Sequence, residues 1–316
     1  MTAPKQRIFM TGANGYIGSV ITELATADGY AVHGLSRSEA SDAKLQSLGA
    51  VPVRGDLTSL DVLRKESAEA DIVIHLATAY TIGEGTYDAV LPVDNAAVDA
   101  IADSLAGTGK PLVVTSGTLT TGADPTGAET TEASPPDPSP INSRGKAEAH
   151  ALALAARGIR VTSVRLAPYV YGRAGSGVKL FMGMSAKAGS VTRVAGGTNR
   201  TTTVHVDDAA RLYLLAAQQG KPGDVFNASS ATDVTARQLF EAMAAALGLP
   251  LRDISFAQAQ TQLGEVFARF LSAENRASGE KARGVLGWEP KGMGILDEIS
   301  RGSYPALAAE LRKGAA

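Results

Sequence analysis

The chain reads as an α/β protein: a Rossmann-like doubly wound parallel sheet followed by a smaller C-terminal α/β substrate lobe. Three observations predict this. The first half alternates short β-branched runs with longer helical patterns, as βαβ units do. Several of the short runs are continuously apolar, as strands covered on both faces require. The first run leads straight into a glycine-rich turn that opens a helix, Thr11-Gly12-Ala13-Asn14-Gly15-Tyr16-Ile17-Gly18.

Taken in order, strands are expected at 7–10, 31–35, 51–53, 71–76, 112–115 and 160–166. Helices are expected between them, near 16–27, 57–68, 93–105 and 143–156. Residues 121–140 break the alternation, with prolines at 125, 135, 136, 138 and 140 among Thr, Gly, Asp and Glu, and read as a long loop. Such a loop is either an exposed connection or a rim over a site. Beyond Gly172 the alternation weakens, and helices near 179–188, 207–218, 235–247 and 279–286 are joined by short strands. No internal repeat is visible. The expected division is a nucleotide-binding domain at 1–172, to which 200–228 returns, and a mainly substrate-binding lobe at 173–316.

Composition narrows the function. The 316 residues carry 30 Lys+Arg against 32 Asp+Glu, a net charge of −2 that suits neither nucleic acid nor an anionic membrane surface as a partner. A hydrophobic share of 44% with 20% charged residues describes a globular chain rather than a disordered one. The absence of cysteine excludes a disulfide scaffold, a thiolate metal site and a thiol nucleophile. The histidines at 33, 75, 150 and 205 show no HExxH-type spacing, so no metal site is expected. Residues 1–7 run directly into a strand with no apolar leader, and no run approaches a membrane span, so a cytoplasmic location is expected.

The glycine turn carries a specific chemistry. Its glycines let the backbone turn sharply and approach a pyrophosphate, while the helix start offers unpaired N–H groups and a positive dipole end. Gly12, Asn14, Gly15, Tyr16, Ile17 and Gly18 are therefore candidate dinucleotide contacts. The second strand ends in Leu35-Ser36-Arg37-Ser38, where an NAD-specific site carries an acidic residue for the ribose 2′-hydroxyl. Arg37, with Ser36 or Ser38, suits a 2′-phosphate instead, so NADP(H) is preferred as cofactor over NAD(H).

Eight ordered motifs extend the pattern over nearly the whole chain. They are TGANGYIG at 11–18, Gly55-Asp56-Leu57, His75-Leu76-Ala77-Thr78, Thr115-Ser116-Gly117, the run from Arg165 to Gly172, Val204-His205-Val206-Asp207-Asp208, Phe226-Asn227 and Leu286-Gly287-Trp288-Glu289-Pro290. In these the chain resembles an extended short-chain dehydrogenase/reductase of the NAD-dependent epimerase/dehydratase group. The resemblance implies that Asp56 accepts from the adenine amino group and Leu57 lines its pocket. It implies that Leu76, Ala77 and Thr78 pass the ribose and diphosphate, that Asn95 matches a structural asparagine, and that Pro168 and Val170 lie near the nicotinamide. His75, His205, Asn227 and Trp288 read as structural, and Asp207 as a helix N-cap.

The catalytic segment departs from this family. Its members use a YxxxK pair, the tyrosine handling the proton and the lysine holding the nicotinamide ribose, beside a polarising Ser or Thr. Here Ser139-Pro140-Ile141-Asn142-Ser143-Arg144-Gly145-Lys146-Ala147-Glu148 contains no tyrosine, nor the histidine of an atypical HxxxR subgroup. One register pairs Asn142 with Lys146 and the other Pro140 with Arg144; Ser143, Glu148 and the distance to Arg165 favour Arg144. Two residues apart on a helix, the two cations point to different faces, so one of them reaches the site. Gly117 falls in the place of the polarising residue, leaving Ser116 or Thr118 as the donor to a substrate oxygen. Tyr80, Tyr169 and a water held by Asn142 are the candidate proton donors, since a reduced carbonyl needs a proton.

The expected function is an NADP(H)-dependent oxidoreductase acting on a small to medium carbonyl or alcohol through an unconventional proton relay. Alternatives are an isomerase, epimerase or lyase on the same scaffold, or a non-catalytic NADP(H) sensor. A small-molecule substrate is the expected partner, with Arg200 a candidate contact, and a homodimer is a further expectation by analogy.

Overall fold

The computed structural model describes residues 5–81 and 85–314; residues 1–4, which begin the segment read as lacking a leader, lie outside them. A seven-stranded sheet organises the chain. Its strands are β1 (Arg7–Thr11), β2 (Ala31–Ser36), β3 (Val51–Arg54), β4 (Ile72–His75), β5 (Pro111–Gly117), β6 (Arg160–Leu166) and β10 (Asp224–Ala228). They pair in the order β10-β6-β5-β4-β1-β2-β3, all parallel.

The alternation of strand side chains sets the two faces. Ile8 and Met10 pack with α1 (Tyr16–Ala27) and α7 (Val206–Gln219), whereas Phe9 between them packs with α3 (Leu60–Glu69), α4 (Tyr87–Leu105) and α5 (Arg144–Ala153). Because both faces are covered, the central strands are apolar throughout, as in Ile72-Val73-Ile74.

A second core gathers Phe181 of α6 (Ser176–Ala188), Leu239 and Phe240 of α8 (Ala236–Leu247), and Ile299 of α12 (Ile295–Arg301). Two small sheets border it, β7 (Tyr169–Tyr171) with β9 (Arg200–His205) and β11 (Ala231–Thr235), and β8 (Val191–Val194) with β12 (Leu251–Ile254).

Several elements differ from expectation. Helix α2 (Glu39–Ser47) was not foreseen, because only Leu45 of its nine residues is buried and its pattern is polar. Helix α3 starts at Leu60 rather than 57, because Asp56 turns the chain by accepting from the backbone N–H groups of Thr58 and Ser59. Helix α4 starts six residues early at Tyr87, capped by Thr86, with Pro92 inside it masking the pattern. The helices α9 (Phe256–Leu263), α10 (Glu265–Ser272), α11 (Glu280–Leu286) and α13 (Tyr304–Gly314) complete the chain, and of these only α11 was expected. The cap of α7 is His205, whose Nδ1 accepts from Asp207 N, while Asp207 itself pairs with Arg173 at 2.7 Å.

The proline-rich segment 121–140 is pinned rather than free. Thr130 exchanges backbone hydrogen bonds with Arg276 and Ser278, and Arg276 donates to Gly127 O at 2.7 Å. Glu132 accepts from the backbone of Asn227 on the edge strand β10. Arg200 is likewise occupied, paired with Glu274 at 2.8 Å and donating to Gly127 O, so it is not a free substrate contact.

Glu148 is the main buried ion pair of the sheet's α5 face, 2.7 Å from Arg165 with a side chain only 4% exposed. Ser163 also donates to it. Glu148→Ala strands a largely buried guanidinium and is expected to cost about 3–5 kcal/mol, read as a lower urea midpoint at unchanged slope.

Candidate functional site

Strands β1 and β4 lie side by side, yet the chain leaves them in opposite directions around the sheet, and a crevice opens at their C-terminal ends. The glycine turn forms one wall. Gly12 has a φ of +70°, and a Cβ there would sit 3.1 Å from Ala77 N; at Gly18 a Cβ would sit 2.0 Å from Gly12 O. Only glycine lets the turn lie this close to β4 and α1. Gly15 occupies the N-cap of α1 without a side-chain cap, leaving the first-turn N–H groups without a side-chain acceptor.

The resulting cleft has a volume of about 610 Å³. Gly12, Asn14, Gly15, Tyr16, Ile17 and Gly18 line it, followed by Arg37, Asp56, Leu57, Leu76, Ala77, Thr78, Thr115, Arg144 and Leu166. Tyr16 is held by donating to Gly172 O at 2.7 Å, and burial pushes its hydroxyl pKa well up. Asp56 Oδ1 accepts from Thr58 and Ser59, and those bonds hold its carboxyl below the usual range.

The cleft adjoins a cavity of about 40 Å³ whose lining is part polar and part apolar. Leu76, Ala77, Thr78, Thr115 and Arg144 belong to both walls. Behind them lie His75, Tyr87, Asp94 and Asn95. Thr78 Oγ1 donates to Asp94 Oδ2 at 2.6 Å and Ala79 N to its Oδ1 at 2.7 Å. His75 Nδ1 lies 3.0 Å from Thr11 Oγ1, and burial lowers its pKa to about 4, so it is neutral at ordinary pH. The Arg144 guanidinium sits over the Tyr87 ring, 5.6 Å from its centroid, and its stem runs past Gly117, where a Cβ would lie 3.8 Å from Arg144 Cδ.

The structure separates the two cations of α5. Arg144 faces the cleft, whereas Lys146 is 74% exposed and lies 3.7 Å from Asp88. Several other expected residues are turned away. Thr118 is 1% exposed and its hydroxyl donates to Asn275 Oδ1; Ser116 is fully buried and lines neither cavity. Asn142 Oδ1 accepts from Arg144 N at the start of α5. Tyr169 is buried against Phe181 and Phe270 in the second core. Tyr80 packs against Tyr87 with the rings tilted and their centroids 5.6 Å apart. Ser36 is buried and donates to Ser38 O, while Ser38 caps α2. Neither Pro168 nor the buried Val170 lines the cleft, where Leu166 stands instead.

Three residues went unnoticed in the sequence. Tyr87 was hidden because the start of α4 was misplaced, and Asp94, seven residues on and on the same helix face, was passed over beside Asn95. Lys44 on α2 reaches back to donate to Asn14 O at 2.8 Å, bringing a cation beside the glycine turn.

Known proteins resemble this architecture along its whole length. An uncharacterised protein of Schizosaccharomyces pombe is 31% identical over 299 residues, 94% of this chain and 99% of its own. A relative from Stigmatella aurantiaca, named as a 4-hydroxy-2-methyl-3-oxo-4-farnesyl-3,4-dihydroquinoline-1-oxide ketoreductase, is 27% identical over 86% of this chain and 83% of its own. Among solved structures, the UDP-glucose 4-epimerase of Thermus thermophilus in complex with NAD superposes with a TM-score of 0.74 at 22% identity, covering 98% of this chain and all of that one. The model of the NAD dependent epimerase/dehydratase family matches residues 8–229. With its seven-stranded parallel sheet and glycine turn, the chain belongs to the NAD-dependent epimerase/dehydratase family of extended short-chain dehydrogenases/reductases.

Proposed function

We propose that the protein is an NADP(H)-dependent oxidoreductase interconverting a small to medium, largely apolar carbonyl and its alcohol. The observation that carries this reading is the convergence of Thr78, Thr115 and Arg144 where the dinucleotide cleft meets the small cavity. A sensor needs the dinucleotide contacts alone; polar groups gathered beyond them are what turnover requires. The ketoreductase name of the Stigmatella relative agrees with carbonyl chemistry.

The residues present fit a dinucleotide. The glycine turn provides the close backbone approach and the free helix N-terminus that a pyrophosphate needs. Asp56 keeps one oxygen, Oδ2, outside its own turn for an adenine amino group. Arg37 on the cleft wall, with Lys44 close to the turn, supplies positive charge where an acidic residue would select a 2′-hydroxyl. Arg144 takes the part of the family lysine and holds the nicotinamide ribose. When bound, the reduced nicotinamide supplies hydride. Lys146 remains a surface charge, and a homodimer in the cytoplasm is compatible with this reading but not required by it.

Two outcomes test the assignment. Arg37→Ala is expected to weaken NADPH binding about tenfold, near 1.4 kcal/mol, while leaving NADH affinity unchanged; equal effects on both cofactors would remove the NADP(H) preference. Arg144→Ala is expected to weaken NADPH binding and cut turnover at least tenfold, while Lys146→Ala stays within twofold of the parent. The carbonyls for turnover come from a panel of aldehydes and ketones incubated with NADPH deuterated at the reactive carbon. Deuterium in a product establishes the redox reading, and tight NADPH binding with no transfer across the panel turns it toward a sensor.

A further inference from the structure

We infer that the Tyr87 hydroxyl supplies the proton in this site, reaching the reacting oxygen through water held in the small cavity behind the cleft. The inference rests on the oxidoreductase reading and names the acid it lacks. Hydride addition to a carbonyl carbon leaves an oxygen that must gain one proton. The position of the family tyrosine holds no acid in either register, being Pro140 or Asn142, and Asn142 is occupied at the start of α5.

Tyr87, the first residue of α4, is 6% exposed and lines the cavity beside Thr78 and Arg144, whose guanidinium lies over its ring. The other hydroxyls of the cavity are committed, Thr78 to Asp94, and Thr115 to His75 O and Tyr213. Tyr213 is fully buried behind Thr115 and opens on neither cavity. A space of about 40 Å³ with Asp94, Asn95 and Arg144 among its lining residues is large enough for roughly one to three waters.

The step balances. The Tyr87 O–H bond breaks, water passes the proton across the Thr78 and Arg144 wall, and the alcohol O–H forms. The phenolate left behind faces Arg144 and regains its proton from solvent water. In the oxidative direction the same path removes the proton.

The charges facing the hydroxyl come from three elements. Arg144 of α5 favours the phenolate, and Asp94 of α4 opposes it. His75 of β4 is neutral, Glu148 of α5 is tied to Arg165, and Asp88 of α4 is occupied by Ser143 and Lys146. Burial outweighs Arg144, so the hydroxyl stays protonated at neutral pH, and reduction is expected to fall as pH rises through its pKa.

The test compares Tyr87→Phe and Tyr80→Phe with the parent chain. Fluorescence titration with NADPH is expected to give affinities within twofold for both, which also certifies folding. Single-turnover transfer from deuterated NADPH, using the panel carbonyl that the parent reduces fastest, is expected to slow about 100-fold in Tyr87→Phe, with loss of the alkaline limb of its pH profile. A readout free of turnover uses protein labelled with 3-fluorotyrosine. The Tyr87 resonance, assigned by its absence in Tyr87→Phe, should titrate with a higher midpoint after Arg144→Ala. Parental rates and pH profile in Tyr87→Phe, a loss carried by Tyr80→Phe instead, or a resonance indifferent to Arg144→Ala overturns the inference and leaves the oxidoreductase reading standing. A parent chain that binds NADPH but transfers no deuterium overturns both.

Discussion

The close approach of the Gly12 backbone to the end of β4 is the constraint on which the rest of the site depends. The ends of β1 and β4 are stitched by Thr11, whose carbonyl accepts from Leu76 N and whose hydroxyl accepts from Ala77 N. With no Cβ at Gly12 or Gly18, the turn folds flat against that seam and α1 begins at once. The same seam carries the chain on to Thr78, and so couples the phosphate-binding geometry of the turn to the small cavity through one short stretch of backbone.

The far wall depends on how α4 and α5 meet. Ser143 at the start of α5 donates to Asp88 in the first turn of α4, and Lys146 sits beside the same carboxylate. This contact draws the two N-termini together and leaves Arg144 turned inward over Tyr87. Asp94, buried one cavity wall away, is satisfied by the Thr78 hydroxyl and the Ala79 backbone N–H. Glu148, four residues after Arg144 and one turn along the helix, anchors α5 to β6 through Arg165. A helix held at its start and its middle presents one cation to the cleft and the other to water.

The sheet was legible in the sequence because its rules are local. Unbroken apolar runs mark β1, β4 and β5, and a glycine pattern at a strand–helix junction has few other uses. The elements around the second core were less legible, since α9, α10 and α12 are only seven or eight residues long and offer little periodicity. In the site, adjacency in sequence misled twice. Thr118 lies next to the right place but is drawn off by Asn275, 157 residues away, and Tyr169 follows the right motif but points into the second core. Ser143, Glu148 and the distance to Arg165 already favoured Arg144 over Lys146 in the sequence, and the structure adds the helix phase that turns Arg144 to the cleft and Lys146 to water. Tyr87 was missed because Pro92 disguised the first turns of its helix.

A crystal structure of the protein with NADP⁺ tests the central claim most directly, because that claim is one of placement. The account predicts the pyrophosphate against Gly12–Gly15, the 2′-phosphate at Arg37, and the nicotinamide ribose on Arg144 with the ring beside Thr78 and Thr115. A nicotinamide lying away from Arg144 and the Tyr87 cavity, with its ribose held by other groups, would contradict it.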